Sequence, residues 1–320
     1  MVELLERMNH FVWGIPALIL ILGVGIYLSI RTGFVQITLL PRSVCLFFKR
    51  LFHKASNSGG VTSFQALCTA LAATVGTGNL VGVAGAIAIG GPGAIFWMWI
   101  CGILGMVTKF AEAALAVRYQ EKNTKGETVG GPMYMIRRGL PKRWHWMAGL
   151  YSFFGVVAAF GVGNATQINA VIGGVNSVVT SYGGQESFAG NLCMGILLAA
   201  LITVLLLGGA KKIGIFAERL VPFAAALYLI LGIGVLWVRR SYLGVAFMSI
   251  LEGAFSPQSV TGGVLGSAFV ALRVGASRGV FTNEAGMGTA GIAHSSANVR
   301  HPVEQGLMGI IEVFIDTIVI

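Results

Sequence analysis

The sequence predicts an all-α polytopic membrane protein in which two of the crossings are discontinuous. Three observations carry that fold class. The 320 residues are 55% hydrophobic and only 11% charged, where a soluble domain carries about 25% charged residues. A run from Val61 to Gly90 is free of charge and exceeds the ~20 helical residues that cross a ~30 Å hydrocarbon core. Two stretches, Val61 to Gly90 and Val260 to Ala293, are each interrupted near the middle by glycine.

The formal net charge of +10 comes from 22 Lys and Arg placed mostly in short connections between apolar spans. That placement is the positive-inside pattern, not a nucleic-acid surface. The four cysteines, Cys45, Cys68, Cys101 and Cys193, show no paired spacing, so neither a disulfide framework nor a zinc site is indicated. Glu3 and Glu6 spoil the basic start of a signal peptide, and no small-residue cleavage site follows, so the first apolar stretch reads as a retained span.

Phe11 to Ile30 is the first crossing, and Arg31, Arg42, Lys49, Arg50 and Lys54 after it mark the cytoplasmic side. Phe34 to Phe52, with Pro41 and scattered cations, reads as an amphipathic surface element. Ser56 to Gly60 is a turn of small polar residues. The first discontinuous helix follows. Gly76 and Gly78, two glycines within three residues, each carry a helix penalty of roughly 1 kcal/mol. A break there frees backbone groups that lipid cannot satisfy, so protein or a polar cavity must do so. Freed N–H groups at the start of the second half suit an anion such as a carboxylate, and freed carbonyls at the end of the first half suit a small cation. The bland reading of Gly78 and Gly82 is a helix-packing face.

Gly90-Gly91-Pro92-Gly93 ends this element, and Ala94 to Val117 crosses back, with Trp97 and Trp99 as an interfacial belt. Lys109 and Glu112 sit three apart, the spacing of a structural ion pair or of a gate. The basic connection from Arg118 to Trp144 is cytoplasmic. Trp146 to Thr180 is long for one crossing and carries Gly161-Val-Gly-Asn-Ala-Thr-Gln-Ile-Asn169 at its centre. This polar cluster faces a cavity or joins helices through amide hydrogen bonds, and the residues alone leave both readings open. Asn191 to Leu207 and Gly214 to Val238 complete five crossings, counted from Val61.

Laid on the first discontinuous element at a constant offset of 199, the second repeats Val61/Val260, Thr62/Thr261, Ala72/Ala271, Val75/Val274, Gly76/Gly275 and Ala86/Ala285. The crossing count gives the two elements opposite orientations, the arrangement of an inverted-repeat secondary transporter with its site between paired interruptions. Arg273, Arg278 and Glu284 near the second element are expected in a salt bridge or gate. Glu304 to Ile320 begins a further span, and Asp316 within it is a candidate ion or proton residue to which no role is assigned. The domain reading is 1–60 for the first helix and surface segment, 61–238 for a five-helix repeat, and 239–320 for the start of a second repeat. Symmetry then calls for about three more crossings after Ile320, so the second repeat is expected to be incomplete.

Gly60-Val-Thr-Ser-Phe-Gln-Ala-Leu-Cys-Thr-Ala-Leu-Ala-Ala-Thr-Val-Gly-Thr-Gly-Asn79 resembles the alanine or glycine:cation symporter (sodium/alanine symporter) family. Gly90 to Trp99, Gly163-Asn-Ala-Thr-Gln167, Arg278 to Gly286 and His301 to Gly306 extend the likeness. The resemblance implies a LeuT-type fold of the amino acid, polyamine and organocation class and Na+-driven uptake of a small neutral amino acid, alanine or glycine. It also implies a multi-pass carrier in the inner (plasma) membrane, surrounded by lipid, monomeric, and without nucleic acid or organic cofactor. Carried over by motif match, substrate contacts fall on Gly76, Thr77, Gly78, Asn79 and Gln167, with Gly275 and Ala276 from the second break. The carbonyls of Ala72 and Val75, with Asn79, are the implied Na+ ligands, and the rest of that ion site would come from the eighth core helix.

Gly76-x-Gly78 as a dinucleotide loop lacks the strand–helix unit that loop needs. A membrane enzyme is expected to cluster acids and histidines at one face, whereas His10, His53, His145, His294 and His301 are scattered. A channel, another solute permease, and an inactive or partner-dependent fragment remain as alternatives to a carrier.

Overall fold

The structure is a computed structural model that describes residues 14–52, 60–124, 126–255 and 267–320. The expected start of the first span, the turn before Gly60, His10, His53, Lys54 and the first residues of the second discontinuous element, with Val260 and Thr261, lie outside the described residues.

α1 (Ile15–Arg31) is the first helix among the described residues and is apolar. α2 (Val35–Thr38) and α3 (Leu40–Phe52) form the amphipathic segment. The long element then divides as expected into α4 (Ser63–Thr74), a π-helical turn at Gly78–Gly82 and α5 (Val83–Gly90), with the two halves bent by 49°. Thr62 and Gln65 form a capping box that closes the start of α4. It satisfies donors that lipid would leave orphaned.

α6 (Gly93–Arg118) returns through the centre of the fold. The basic connection is not plain coil: β1 (Glu121–Lys122) and β2 (Thr128–Val129) pair antiparallel, and α7 (Pro132–Gly139) follows. α8 (Trp146–Phe160), a π-helical turn at Gly161–Ala165 and α9 (Thr166–Ser181) make the long span. The π turn falls on the polar cluster. α10 (Phe188–Leu206) and α11 (Gly209–Val238), which contains Pro222, complete this half. Among the described residues, four helices are long and apolar enough to cross a membrane, or five if the bent pair is one span. Phe160, Leu207 and Trp237 stand 77%, 83% and 70% exposed, which is tolerable where the surrounding solvent is hydrocarbon.

α12 (Leu243–Phe255) was not anticipated from the sequence. It docks on the start of α6 where two glycines meet: a Cβ on Gly93 would lie 2.2 Å from the carbonyl carbon of Gly253. α13 (Ser267–Asn283), α14 (Thr289–Ser295), α15 (Pro302–Val313) and a π-helical segment at Phe314–Val319 follow.

The second discontinuity corrects the expected register. α13 runs unbroken through Gly275 and Ala276, and the interruption comes after Asn283, where Glu284, Gly286 and Gly288 take φ of 52°, 92° and 81°. The reason is packing. A Cβ on Gly275 would sit 2.3 Å from the carbonyl oxygen of Ala94, and buried Ala276 accepts a 3.6 Å contact from the Cys101 thiol. Here the missing side chain lets α13 lie against α6, and that contact outweighs a lone glycine's helix penalty of about 1 kcal/mol.

The apolar core joins α4, α11 and α15 through Phe64, Leu67, Leu71, Ala217, Met308 and Ile311. A second cluster, Met106, Leu307, Ile310 and Val313, joins α15 to α6.

Candidate functional site

The first interruption is built by a loss of helical partners. Val75 turns to ψ 100° after α4. The N–H of Gly76, which a regular helix would direct to the Ala72 carbonyl, donates instead to Asn79 Oδ1 at 2.9 Å. Asn79 is itself 5% exposed. Its Nδ2 donates to the main-chain oxygen of Asp316 at 2.8 Å and to Oδ1 of the same residue at 3.0 Å. Thr317 Oγ1 donates to Asp316 Oδ2 at 2.9 Å. A carboxylate that is 1% exposed is thus held by neutral donors, and no salt bridge reaches it among the described residues.

Gln167 stands across from the break: a Cβ on Gly76 would come 3.3 Å from its Oε1. Gly78 abuts α13, where an added Cβ would meet Thr282 Oγ1 at 3.2 Å and Phe281 at 3.5 Å. Among the described residues that hydroxyl is buried without a hydrogen-bond partner, as is Thr74 Oγ1 at the end of α4. Unpaired buried hydroxyls cost roughly 1–3 kcal/mol, so oxygens left open beside a helix break fit the oxygen donors a small hard cation requires. The structure therefore brings together Gly76, Gly78, Asn79 and Gln167. Ala72 and Val75 lie just before the break, and Thr77 lies within it. Gly275 and Ala276 lie instead in the helix interface with α6.

The sequence marks Asp316 as a possible ion or proton residue without assigning it a role, and it does not mark Thr282. Asp316 carried a signal, since an acid inside an apolar span is costly without a partner or a function. Thr282 carried none.

The charges behind the site also differ from the expected pairing. Lys109 does not close on Glu112: its Nζ lies 3.1 Å from Glu312 Oε1, both side chains being fully buried. Glu112 Oε1 accepts the backbone N–H groups of Gly286 at 2.9 Å and Gly288 at 3.2 Å. The donors freed by the second interruption thus meet an internal carboxylate. Arg278 lies over the Phe281 ring at 5.9 Å and Glu284 accepts from Thr289 Oγ1, and no ion pair joins Arg273, Arg278 and Glu284 among the described residues.

Long apolar helices around a polar, discontinuous centre fit a multi-pass membrane protein. The model of the sodium:alanine symporter family matches residues 1–320, and the chain belongs to that family. It is 42% identical to the sodium/alanine symporter AgcS of Methanococcus maripaludis, covering 100% of this chain and 68% of that protein. It is 43% identical to an uncharacterized transporter of Haemophilus influenzae (99% and 67% covered) and 35% identical to the amino-acid carrier protein AlsT of Bacillus subtilis (99% and 64%). The chain spans about two thirds of the length of these relatives.

Proposed function

We propose that this chain forms the larger part of a Na+-coupled symporter for a small neutral amino acid, alanine or glycine, working by alternating access in the plasma membrane as a monomer. Family membership supports the cation and the solute class. The observation that carries the reading is the interruption at Val75–Thr77, with buried Asn79 and Asp316 at its edge and Gln167 across from it.

In this reading the fold is a LeuT-type inverted repeat. Residues 61–238 are its first half, residues 239–320 begin the second, and residues 1–60 are an addition before them. The Thr77 and Gly78 N–H groups receive the substrate carboxylate at the start of the second half-helix, where the helix dipole favours an anion. Gly76 keeps the approach open, and Gln167 contacts the polar end of the substrate. The coupling ion sits among the carbonyls of Ala72 and Val75 and the side chain of Asn79. Asp316 adds the negative charge that a neutral oxygen cage lacks. Na+ brings positive charge next to the substrate carboxylate, so each ligand strengthens binding of the other. The membrane potential adds about 2.3 kcal/mol per charge per 100 mV to inward movement.

The test is uptake of labelled alanine into proteoliposomes under an imposed Na+ gradient, with K+ replacing Na+ as control and unlabelled glycine, serine and glutamine as competitors. Saturable uptake that requires Na+ supports the proposal. Uptake indifferent to Na+, or a non-saturating Na+ current without solute, ends it.

A further inference from the structure

α15 and its π-helical extension contact both halves of the broken helix. At one end Gln305 clamps Ser63, the first residue of α4: Ser63 Oγ donates to Gln305 Oε1 at 2.7 Å, and Gln305 Nε2 lies 3.4 Å from the Ser63 carbonyl. At the other end Asp316 holds Asn79 beyond the break. Gln305 to Asp316 and Ser63 to Thr74 each span eleven steps, about 17 Å at the helical rise. The two segments lie side by side over that length through Met308 and Ile311 against Phe64, Leu67 and Leu71.

The Ser63 end is fastened by more than one bond. Gln305 Nε2 also donates to His294 Nδ1 at 2.6 Å, and His294 Nε2 meets Glu312 Oε2 at 2.8 Å. Glu312 Oε1 completes the chain to Lys109. Ser63, Gln305, His294, Glu312 and Lys109 are all fully buried, and they come from α4, α15, α14 and α6. The tautomer with the proton on Nε2 satisfies both His294 contacts at once. In a low-dielectric interior such a chain is favourable when complete and costly when one member is lost. The Asn298 N–H donates to the Val61 carbonyl at 2.9 Å, just outside the cap, and reinforces the same end.

We propose that Gln305 and His294 are positioning residues of a latch that holds the Ser63 end of α4 closed, and that this end can swing away from α15 only when the Gln305–Ser63 bonds are released. The proposal rests on the discontinuity of the helix and not on which solute it carries. Because Asp316 and Gln305 share one helix, a ligand that changes the Asn79–Asp316 contact acts on the latch through α15.

The chain carries its own reporter. Cys68 lies on α4 and is 1% exposed, and Cys101 on α6 is 2% exposed, while Cys45 and Cys193 are exposed. The purified chain in detergent or nanodiscs is labelled with a small thiol reagent, and each site is followed by mass spectrometry. We expect Gln305→Leu, which keeps the volume, and Ser63→Ala each to speed Cys68 labelling at least tenfold while Cys101 stays at the wild-type rate. The double variant should be no faster than Gln305→Leu alone, because Ser63→Ala removes only the hydroxyl bond, which Gln305→Leu removes together with the bond to the Ser63 carbonyl. Cys68 labelling unchanged in both variants overturns the latch. Equal acceleration of Cys68 and Cys101 also overturns it, since that is general loosening of the fold. Both results leave the Na+ and alanine assignment untouched, because neither variant touches the break.

Discussion

The side-chain amide nitrogen of Asn79 donates to both the main-chain oxygen and the carboxylate of Asp316, tying the interruption in the first broken helix to a residue 237 positions further along. Among the described residues, Asp316 has only neutral hydrogen-bonding neighbours at its carboxylate. An acid in that setting is expensive for a membrane protein unless a mobile cation balances it. Asp316→Asn keeps shape and most hydrogen bonding but removes the charge. The expected result is loss of at least tenfold in Na+ affinity, which is about 1.4 kcal/mol. The check is the Na+-dependent shift in thermal unfolding of purified protein, with K+ as the reference.

Gly78 has no room for a side chain. A Cβ there would press on Thr282 at 3.2–3.3 Å, and a valine would push further into α13. Overpacking of this kind costs about 1–3 kcal/mol. Gly78→Val is expected to lower alanine affinity at least tenfold, measured by calorimetry on protein whose melting temperature is checked alongside. Normal binding by this variant would displace the carboxylate from the Thr77–Gly78 turn.

Glu112 holds the second interruption together by accepting from two glycine N–H groups. Hydrogen bonds to a charged group contribute about 1.5–3 kcal/mol each. Glu112→Ala is expected to open the 284–288 turn to limited proteolysis, and Glu112→Gln, which keeps an acceptor oxygen, to do so far less. Cleavage patterns of the two variants under identical protease provide the comparison.

Outside the membrane spans, Arg138 pairs with Glu121 on β1 and holds its carboxyl below the usual carboxylate range, mainly by hydrogen bonding. A depressed folded-state value means the stabilisation is present above the unfolded carboxylate's range and is lost as pH falls through the folded value. Arg138→Ala should return Glu121 to the ordinary range, read from its carboxyl resonance in a pH titration. Because the pair is solvent-exposed, the melting temperature of the whole protein is expected to stay where it was.

The first interruption was legible because it is written locally: Gly76 and Gly78 within three residues cannot be ignored by a helix surrounded by lipid. The polar centre of the long span was legible for the same reason, and Gln167 does face Gly76. The second interruption was misplaced because Gly275 looks like Gly76 in sequence but serves a contact with Ala94 that only tertiary structure reveals. The true turn needed Gly286 and Gly288 at positive φ, and it was hidden behind a pattern match at the wrong glycine. Lys109 and Glu112 show a similar limit. Their spacing suits a mutual pair, but each makes its direct contact with a residue more than 170 positions away. Helix α12 escaped notice because its docking depends on the close approach of Gly93 and Gly253, not on its own periodicity.

The π-helical stretches at Gly78–Gly82, Gly161–Ala165 and Phe314–Val319 belong to the three elements that supply Asn79, Gln167 and Asp316. A π turn accommodates one residue more than the α-helical ladder and occurs often at working sites. Around this centre the backbone thus holds slack in three places at once. Sliding any one stretch back to α-helical register would rotate the side chains beyond it by roughly a quarter-turn without dismantling the outer scaffold.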